Sequence, residues 1–322
     1  MGRLSYYRRV FAAYLTPASS QLTFWHDLPD VNTHSFSQLL GEYYMSFVQK
    51  ADHSTVDHSG IPVLDYHGEI GRQHNPIAIA QWGLGNFNLF QRDRNPLHRQ
   101  KFLLATDWLV HELEPNSHGI PVWNHHFDWE YRSTLKAPWY SALAQGQGIS
   151  LLVRAHQHTR ESRYLFAAER AFQSFQLPVE QGGITYTDQA GNIWFEEYLV
   201  SPPTHILNGF IWAAWGVHDF ALATGSSSAA SLFDRAAQTL LANLARYDLG
   251  FWSLYELAGL PLPMLASPFY HRLHIAQLRI MQRLTGQVEF QDYADRWQRY
   301  AASSLKRTRA LALKSAFKLC YY

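Results

Sequence analysis

Disulfide chemistry is closed to this chain. Of its 322 residues only Cys320 is a cysteine, so no bridge can form within it, and a reducing compartment, the cytoplasm, is expected. Charge is scarce as well: Asp, Glu, Lys and Arg make up 16%, and 27 basic against 26 acidic residues leave +1. That balance excludes a broadly basic nucleic-acid binder. No apolar run approaches the roughly 20 residues of a membrane span. None follows Arg3, Arg8 and Arg9 as it would in a signal peptide. A dinucleotide fingerprint is missing, since Gly83-x-Gly85 follows a helix start with no βαβ pattern around it. His-Glu-x-x-His and cysteine pairs are absent. His271 and His274 stand three apart on one helix face, too few for a zinc set, and His125-His126 read as loop residues or sugar contacts. No metal and no cofactor are therefore expected.

Apolar residues are plentiful at 47%, and aromatics reach 15%. Many Trp and Tyr beside few charges fit a wide aromatic cleft of the kind that lines sugars, or the packing of a large helical protein. Helical periodicity begins at Pro76 and recurs. Pro76-Ile77-Ala78-Ile79-Ala80-Gln81 opens one helix, and 97–112 follows. Tyr140-Ser141-Ala142 opens another, paired with 162–175. The remaining pairs are 204–222 with 232–247, and 270–284 with 290–302. The openers recur about every 64 residues, a period that marks a repeat. Ala78-Ile79-Ala80-Gln81, Ala142-Leu143-Ala144-Gln145 and His274-Ile275-Ala276-Gln277 echo one another. Links rich in Trp, Tyr and Gly (119–139, 182–203 and 249–270) read as short hairpin strands, as does 61–75, while 39–50 fits a strand or a short helix.

Helical hairpins in series must bury a shared face, as an open solenoid or a closed toroid. The first helix of each pair carries Gly, Ala, Gln, Asn and His; the second has an ordinary amphipathic pattern. Small residues let neighbouring helices approach closely. This suits a mainly α fold, an α/α barrel or partly open toroid of helical hairpins with short β-hairpins at one rim, where function should sit. The division expected is an N-terminal arm at 1–60, a barrel at 61–304 and a basic tail at 305–322. Lys306, Arg307, Arg309, Lys314 and Lys318 mix there with Leu311, Leu313, Phe317 and Leu319. The tail is either a solvated last helix or an amphipathic one making peripheral contact with an anionic membrane. A homodimer stays open.

One stretch concentrates chemistry. Trp194-Phe195-Glu196-Glu197-Tyr198 leads through Ser201-Pro202-Pro203 to Thr204-His205-Ile206-Leu207-Asn208-Gly209-Phe210. It reads as a strand end, a turn and a helix, with Ser201 as N-cap and Pro203 in the first turn. Asn208 lies inside that helix. Two carboxylates, a phenol and an amide at one helix entrance suggest a site, or acidic residues that favour the helix dipole.

The chain resembles the C-terminal catalytic domain of D-glucuronyl C5-epimerases, which convert D-glucuronate to L-iduronate within heparan-type chains. The matching runs are Met45-Ser46-Phe47, Asn75-Pro76 through Leu84, Trp139-Tyr140 through Gln147, Glu196-Glu197-Tyr198 through Asn208-Gly209-Phe210, and Tyr270-His271-Arg272-Leu273-His274 through Leu278. The resemblance implies an α/α barrel, no cofactor, and an acidic, glycosaminoglycan-like polysaccharide as substrate. It implies catalytic roles for Glu197, Tyr198, Tyr255 and Tyr270. Gln81 and Asn208 would bind substrate, with Tyr66, Asn75, Arg132, His271, Arg272 and His274 as further contacts. Two positions depart from the pattern. An Arg expected three residues after Tyr255 is Ala258, so Arg132 or Arg272 would substitute, or the substrate differs. A tyrosine expected shortly after Phe47 is Lys50.

Inverting C5 removes a proton beside a carboxylate and returns one to the opposite face. The reaction needs two proton-transfer groups and donors that neutralise the charge building on the carboxylate. Tyr198 and Tyr270 are the expected pair, with Tyr255 assisting and Glu197 orienting or deprotonating a phenol. A polysaccharide lyase or hydrolase on the same barrel, and a non-catalytic glycan-binding barrel, remain as alternatives.

Overall fold

The computed structural model describes residues 24–26, 28–36 and 39–321; residues 1–23 of the expected N-terminal arm, with Arg3, Arg8 and Arg9, lie outside them. Nine long helices carry the described fold. They are α1 (Pro76–Asp93), α2 (Pro96–His111), α3 (Ala142–Thr159), α4 (Ser162–Gln176), α5 (Leu207–Thr224), α6 (Ser227–Asn243), α7 (Pro268–Thr285), α8 (Val288–Ala302) and α9 (Ser304–Tyr321). The mainly α class built of helical hairpins, expected from the sequence, is borne out. The first helix of each pair has 18 residues.

Local chemistry sets these starts and stops. Asn75 accepts from the N–H groups of Ile77 and Ala78 at the head of α1. Ser141 caps α3 through Ala144 N–H, and Ser267 caps α7 through Tyr270 N–H. Such caps satisfy donors that the helix itself leaves unpaired. The four 18-residue helices stop at one kind of residue, left-handed Arg94, Arg160, Gly225 and Gly286. The repeat is thus written in backbone geometry even where arginine stands in place of the glycine that αL favours.

The chain forms two compact units. Among the described residues, one comprises Asn32–Pro203 with Gly209–Ala236; the other comprises Thr204–Asn208 and 237–321 with the described residues up to Val31. In the former, α1 packs against α2 and α3, and α3 against α4. Both α1 and α3 are buried almost all round, whereas α4 buries one stripe, Tyr164, Ala168, Ala171, Phe172 and Phe175. The close approach expected of small residues is real. A Cβ on Gly216 of α5 would collide with the backbone of Gly146 in α3. A buried ion pair ties the same two helices. Arg154 Nη1 donates to Asp219 Oδ2 at 2.6 Å, and Tyr44 Oη donates to the other carboxylate oxygen at 2.6 Å. In the second unit α8 packs against α7 and α9.

Four antiparallel hairpins lie in the links: β1 (Leu64–Asp65) with β2 (Arg72–Gln73), β3 (Leu113–Pro115) with β4 (Pro121–Trp123), β5 (Trp129–Glu130) with β6 (Thr134–Leu135), and β7 (Thr185–Thr187) with β8 (Ile193–Phe195). The 249–270 link differs from expectation. It carries isolated bridges, Asp248 to Ser253 and Leu254 to Leu265, because Pro261 and Pro263 supply no ladder donors.

Other boundaries shift too. The helix expected from Thr204 starts at Leu207, so Ser201 is not its N-cap. Residues 204–206 follow a non-helical path instead, with His205 in the left-handed region, and Leu257 N–H donates to Thr204 O and Leu207 N–H to Tyr255 O. The 39–50 stretch yields a one-turn helix, Val48–Ala51. The echo of Gln81, Gln145 and Gln277 is not one helical position, since they fall at different depths of their helices. Gln81 bonds its true equivalent, Gln147, through Nε2 to Oε1 at 3.0 Å.

The basic tail forms α9, whose Ala310, Leu311 and Phe317 are buried. Four of its cations are spent within the unit, Arg307 Nη1 donating to Ala301 O at 2.8 Å. Lys314 Nζ donates to Leu265 O, Arg309 lies over the Phe251 ring at 4.1 Å, and Lys306 over Tyr300 at 3.9 Å. Leu305 and Leu319 stay exposed. Among the described residues no helix is long and apolar enough to cross a membrane.

Candidate active site

The predicted residues fall into two groups, one in each unit. In the unit that contains α1 and α3, an aromatic cluster forms around Phe127, Leu135 and Trp139, with Tyr66, Trp129, Tyr131 and Tyr198 packed on it. Tyr198 sits 4.5 Å from the Tyr131 ring and 5.7 Å from Trp139. Glu197, buried next to it in sequence, lies against the first turn of α5. A Cβ on Gly209 would collide with its carboxylate oxygen. Glycine there is the condition for a carboxylate to rest on the positive end of a helix.

Asn75 does more than cap α1. While its Oδ1 accepts from the helix, its Nδ2 donates to Tyr66 Oη at 2.8 Å. Both ends of the amide are therefore spent on the fold, and Asn75 fixes Tyr66. Burial pushes the Tyr66 phenol above its ordinary pKa, with the Asn75 bond opposing. Arg132 is half-buried in the turn between β5 and β6. Gln81 is buried, bonded to Gln147, and its Oε1 has no partner among the described residues.

His125 was underrated by sequence reasoning. It is fully buried and stacks on Trp139 at 3.8 Å, 4° from parallel. Burial pushes it down to about 3, against a bond to Trp139 O and with His126 adding to the shift. Nδ1 must donate to that carbonyl, which leaves Nε2 an acceptor without a partner among the described residues. The bridging of 125 to 139 that buries it is a long-range pairing. His126 is exposed and pairs with Glu114.

In the other unit, Tyr255 and Tyr270 meet edge to face, 4.9 Å between ring centres. Tyr255 is held by backbone bonds, its N–H donating to Met264 O and its carbonyl accepting from Leu207. Tyr270 occupies the first turn of α7. Arg272 follows on that helix, half-buried. Burial lowers its pKa, no carboxylate pairs with it, and its Nε has no partner among the described residues. Ala258 lies in the 249–270 link, where the absent Arg would stand.

His271 and His274 are fully buried. His271 stacks on Trp252 at 3.8 Å and spends both ring nitrogens inside the fold, on Ser253 Oγ at 2.7 Å and Trp297 O at 3.0 Å. Burial pushes it down to about 3, opposed by the Trp297 bond and helped by Arg272. His274 touches the same hydroxyl through Nδ1 at 3.1 Å. Burial also drives it well below the ordinary imidazole value, with His271 adding a little. Asn208, at the head of α5, accepts through its carbonyl from Gln277 Nε2 at 2.9 Å. Among the described residues no group of three or more His, Cys, Asp or Glu gathers as a metal cage.

Two arrays of this chemistry, Glu197 next in sequence to the Tyr198 phenol and the Tyr255–Tyr270 pair with Arg272 two residues further along α7, suit proton transfer next to a carboxylate. Comparison with known proteins bears on the same residues. A D-glucuronyl C5-epimerase of Caenorhabditis elegans is 31% identical over 224 residues, covering 65% of this chain and 36% of that protein. The chain thus spans about a third of that relative's length. An uncharacterized protein of Methanocaldococcus jannaschii is 28% identical over 264 residues, 76% of this chain and 84% of the relative. Among solved structures, an unsaturated glucuronyl hydrolase of Bacillus sp. GL1 aligns over 71% of this chain and 62% of its own, with a TM-score of 0.46 and 15% identity. Residues 117–299, more than half of the chain and including Glu197, Tyr198, Tyr255 and Tyr270, match the family described as D-glucuronyl C5-epimerase C-terminus, and the chain belongs to that family.

Proposed function

We propose that this chain inverts C5 of D-glucuronate residues to L-iduronate in an acidic, glycosaminoglycan-like polysaccharide, without a cofactor. The observation that carries this reading beyond family membership is Arg272. It is a half-buried guanidinium with no carboxylate partner among the described residues, two residues after Tyr270. A desolvated cation without a counter-charge is costly, and a uronate carboxylate would supply the charge in bidentate form. Arg272 then replaces the Arg lost at Ala258.

The chemistry follows from the phenols. One deprotonated phenol takes the C5 proton. The electron pair left on C5 spreads into the carboxylate, where Arg272 opposes the growing charge. A second phenol returns a proton to the other face. Tyr255 and Tyr270 touch, which leaves no room for a sugar ring between them, so they serve one face. Tyr198, adjoining Glu197, is our candidate for the second group, with Glu197 as the base that tunes it. Gln81 and Asn208 are candidates for sugar contacts, and His271 and His274 for bracing. The basic face of α9 is a candidate for contact with the polymer or with an anionic membrane.

The test is product analysis on an unsulfated glucuronate-containing polysaccharide such as heparosan. Iduronate should accumulate with chain length unchanged. Unsaturated ends and shorter chains would instead identify a lyase, shortening without unsaturation a hydrolase, and retention of polymer with neither change a binding barrel.

A further inference from the structure

Two buried histidines share one serine hydroxyl, and the hydrogen-bond roles around it admit one arrangement. Trp297 O can only accept, so His271 Nε2 carries a proton and donates to it. With the ring neutral, as its burial requires, His271 Nδ1 is a bare acceptor. It receives Ser253 N–H at 3.3 Å and lies 2.7 Å from Ser253 Oγ. At that distance the hydroxyl proton must point at Nδ1. Ser253 has no second proton to give, so its oxygen accepts the remaining contact. His274 Nδ1 therefore carries the proton, donated across 3.1 Å. His274 is then the Nδ1–H tautomer, and its Nε2 is an acceptor, fully buried and without a partner among the described residues.

The connection spans two segments. Ser253 lies two residues before Tyr255, while His271 and His274 flank Arg272 on α7, whose first turn holds Tyr270. We infer that Ser253 is a positioning residue, which fixes the tautomers of His271 and His274 and locks the Tyr255 link onto α7, the helix that carries Tyr270 and Arg272. The effect on turnover rests on the epimerase reading; the tautomers do not. Trp252 stacks on His271 and donates through Nε1 to Ala266 O at 2.9 Å, so the link keeps an anchor when the hydroxyl is removed.

Long-range nitrogen–proton NMR on the histidine-labelled full chain reads each tautomer directly. Variants His271→Gln and His274→Gln identify the two rings. The wild type should give His271 as Nε2–H and His274 as Nδ1–H. Ser253→Ala should move His274 to the Nε2–H form and lower kcat by about tenfold with KM changed less; Ser253→Thr should restore both. A wild-type His274 in the Nε2–H form overturns the inference, whatever the variants do. So does a Ser253→Ala protein whose His274 keeps its tautomer. Correct tautomers in a chain that epimerises nothing would leave the tautomer assignment standing and overturn the epimerase reading alone.

Discussion

At the scale of the residue, the account makes Glu197, Tyr270 and Arg272 depend on specific neighbours. Gly209→Ala adds one methyl where the Glu197 side chain lies. It should cost about 1–3 kcal/mol through overpacking despite the better helix propensity of alanine. Calorimetry or urea unfolding should show that cost shrink in a Glu197→Ala background, because the two positions share one volume. An equal cost in both backgrounds would mean that Glu197 is not what fills the space. Tyr270→Phe removes one hydroxyl and little volume, so thermal stability should hold while turnover falls at least about a hundredfold. Arg272→Gln should raise KM and lower kcat on the uronate polymer, and Ala258→Arg should then recover part of the loss. The candidates themselves were legible beforehand, since the phenols, Glu197 and Arg272 sit in contiguous motifs. What escaped notice was Ser253 and the burial of His125. A serine and a histidine acquire meaning from partners 18 and 14 residues away, and no local pattern encodes that pairing.

At the scale of the element, apolar periodicity carried the most information. It opened α1 at Pro76 and α3 within two residues of its start, while the caps Asn75 and Ser141 emerge in the structure. The one cap read from sequence, Ser201, failed. Thr204 and Leu207 bond to the Tyr255 link, and these tertiary bonds outweigh a local cap signal. The repeat of helical pairs was readable from spacing, but the register of its glutamines was not, because a tetrapeptide echo says nothing of depth along a helix. Ser267 offers a direct test of what a cap does here. Its Oγ accepts from the N–H of Tyr270 itself. Ser267→Ala should cost about 1 kcal/mol and, by loosening the first turn of α7, reduce turnover more than an equally destabilising change on the outer face of α8. Equal losses from the two would detach the cap from catalysis.

At the scale of the whole molecule, stability should hinge on buried polar groups. Asp219→Ala strands the fully buried Arg154 without its counter-charge, and urea unfolding should register a loss of about 3–5 kcal/mol. Acid should also unfold the chain early. His125 and His271 are pushed down to about 3, and His274 well below its ordinary value, by burial. The unfolded chain therefore binds protons below about pH 6.5 that the folded chain refuses. Stability is full above that pH and falls as pH drops towards 3, by up to about 1.4 kcal/mol per pH unit for each ring. A urea midpoint that stayed flat from pH 7 to about 4 would contradict the buried neutral rings. The function has one decisive observable. In deuterated water, with a glucuronate-containing polysaccharide, proton transfer through exchanging phenols should place deuterium at C5 of both the iduronate formed and the glucuronate recovered, with no shortening of the chain. Iduronate that retains its original C5 hydrogen, or the absence of any C5 exchange on uronate polymers that the protein binds tightly, would contradict the epimerase account.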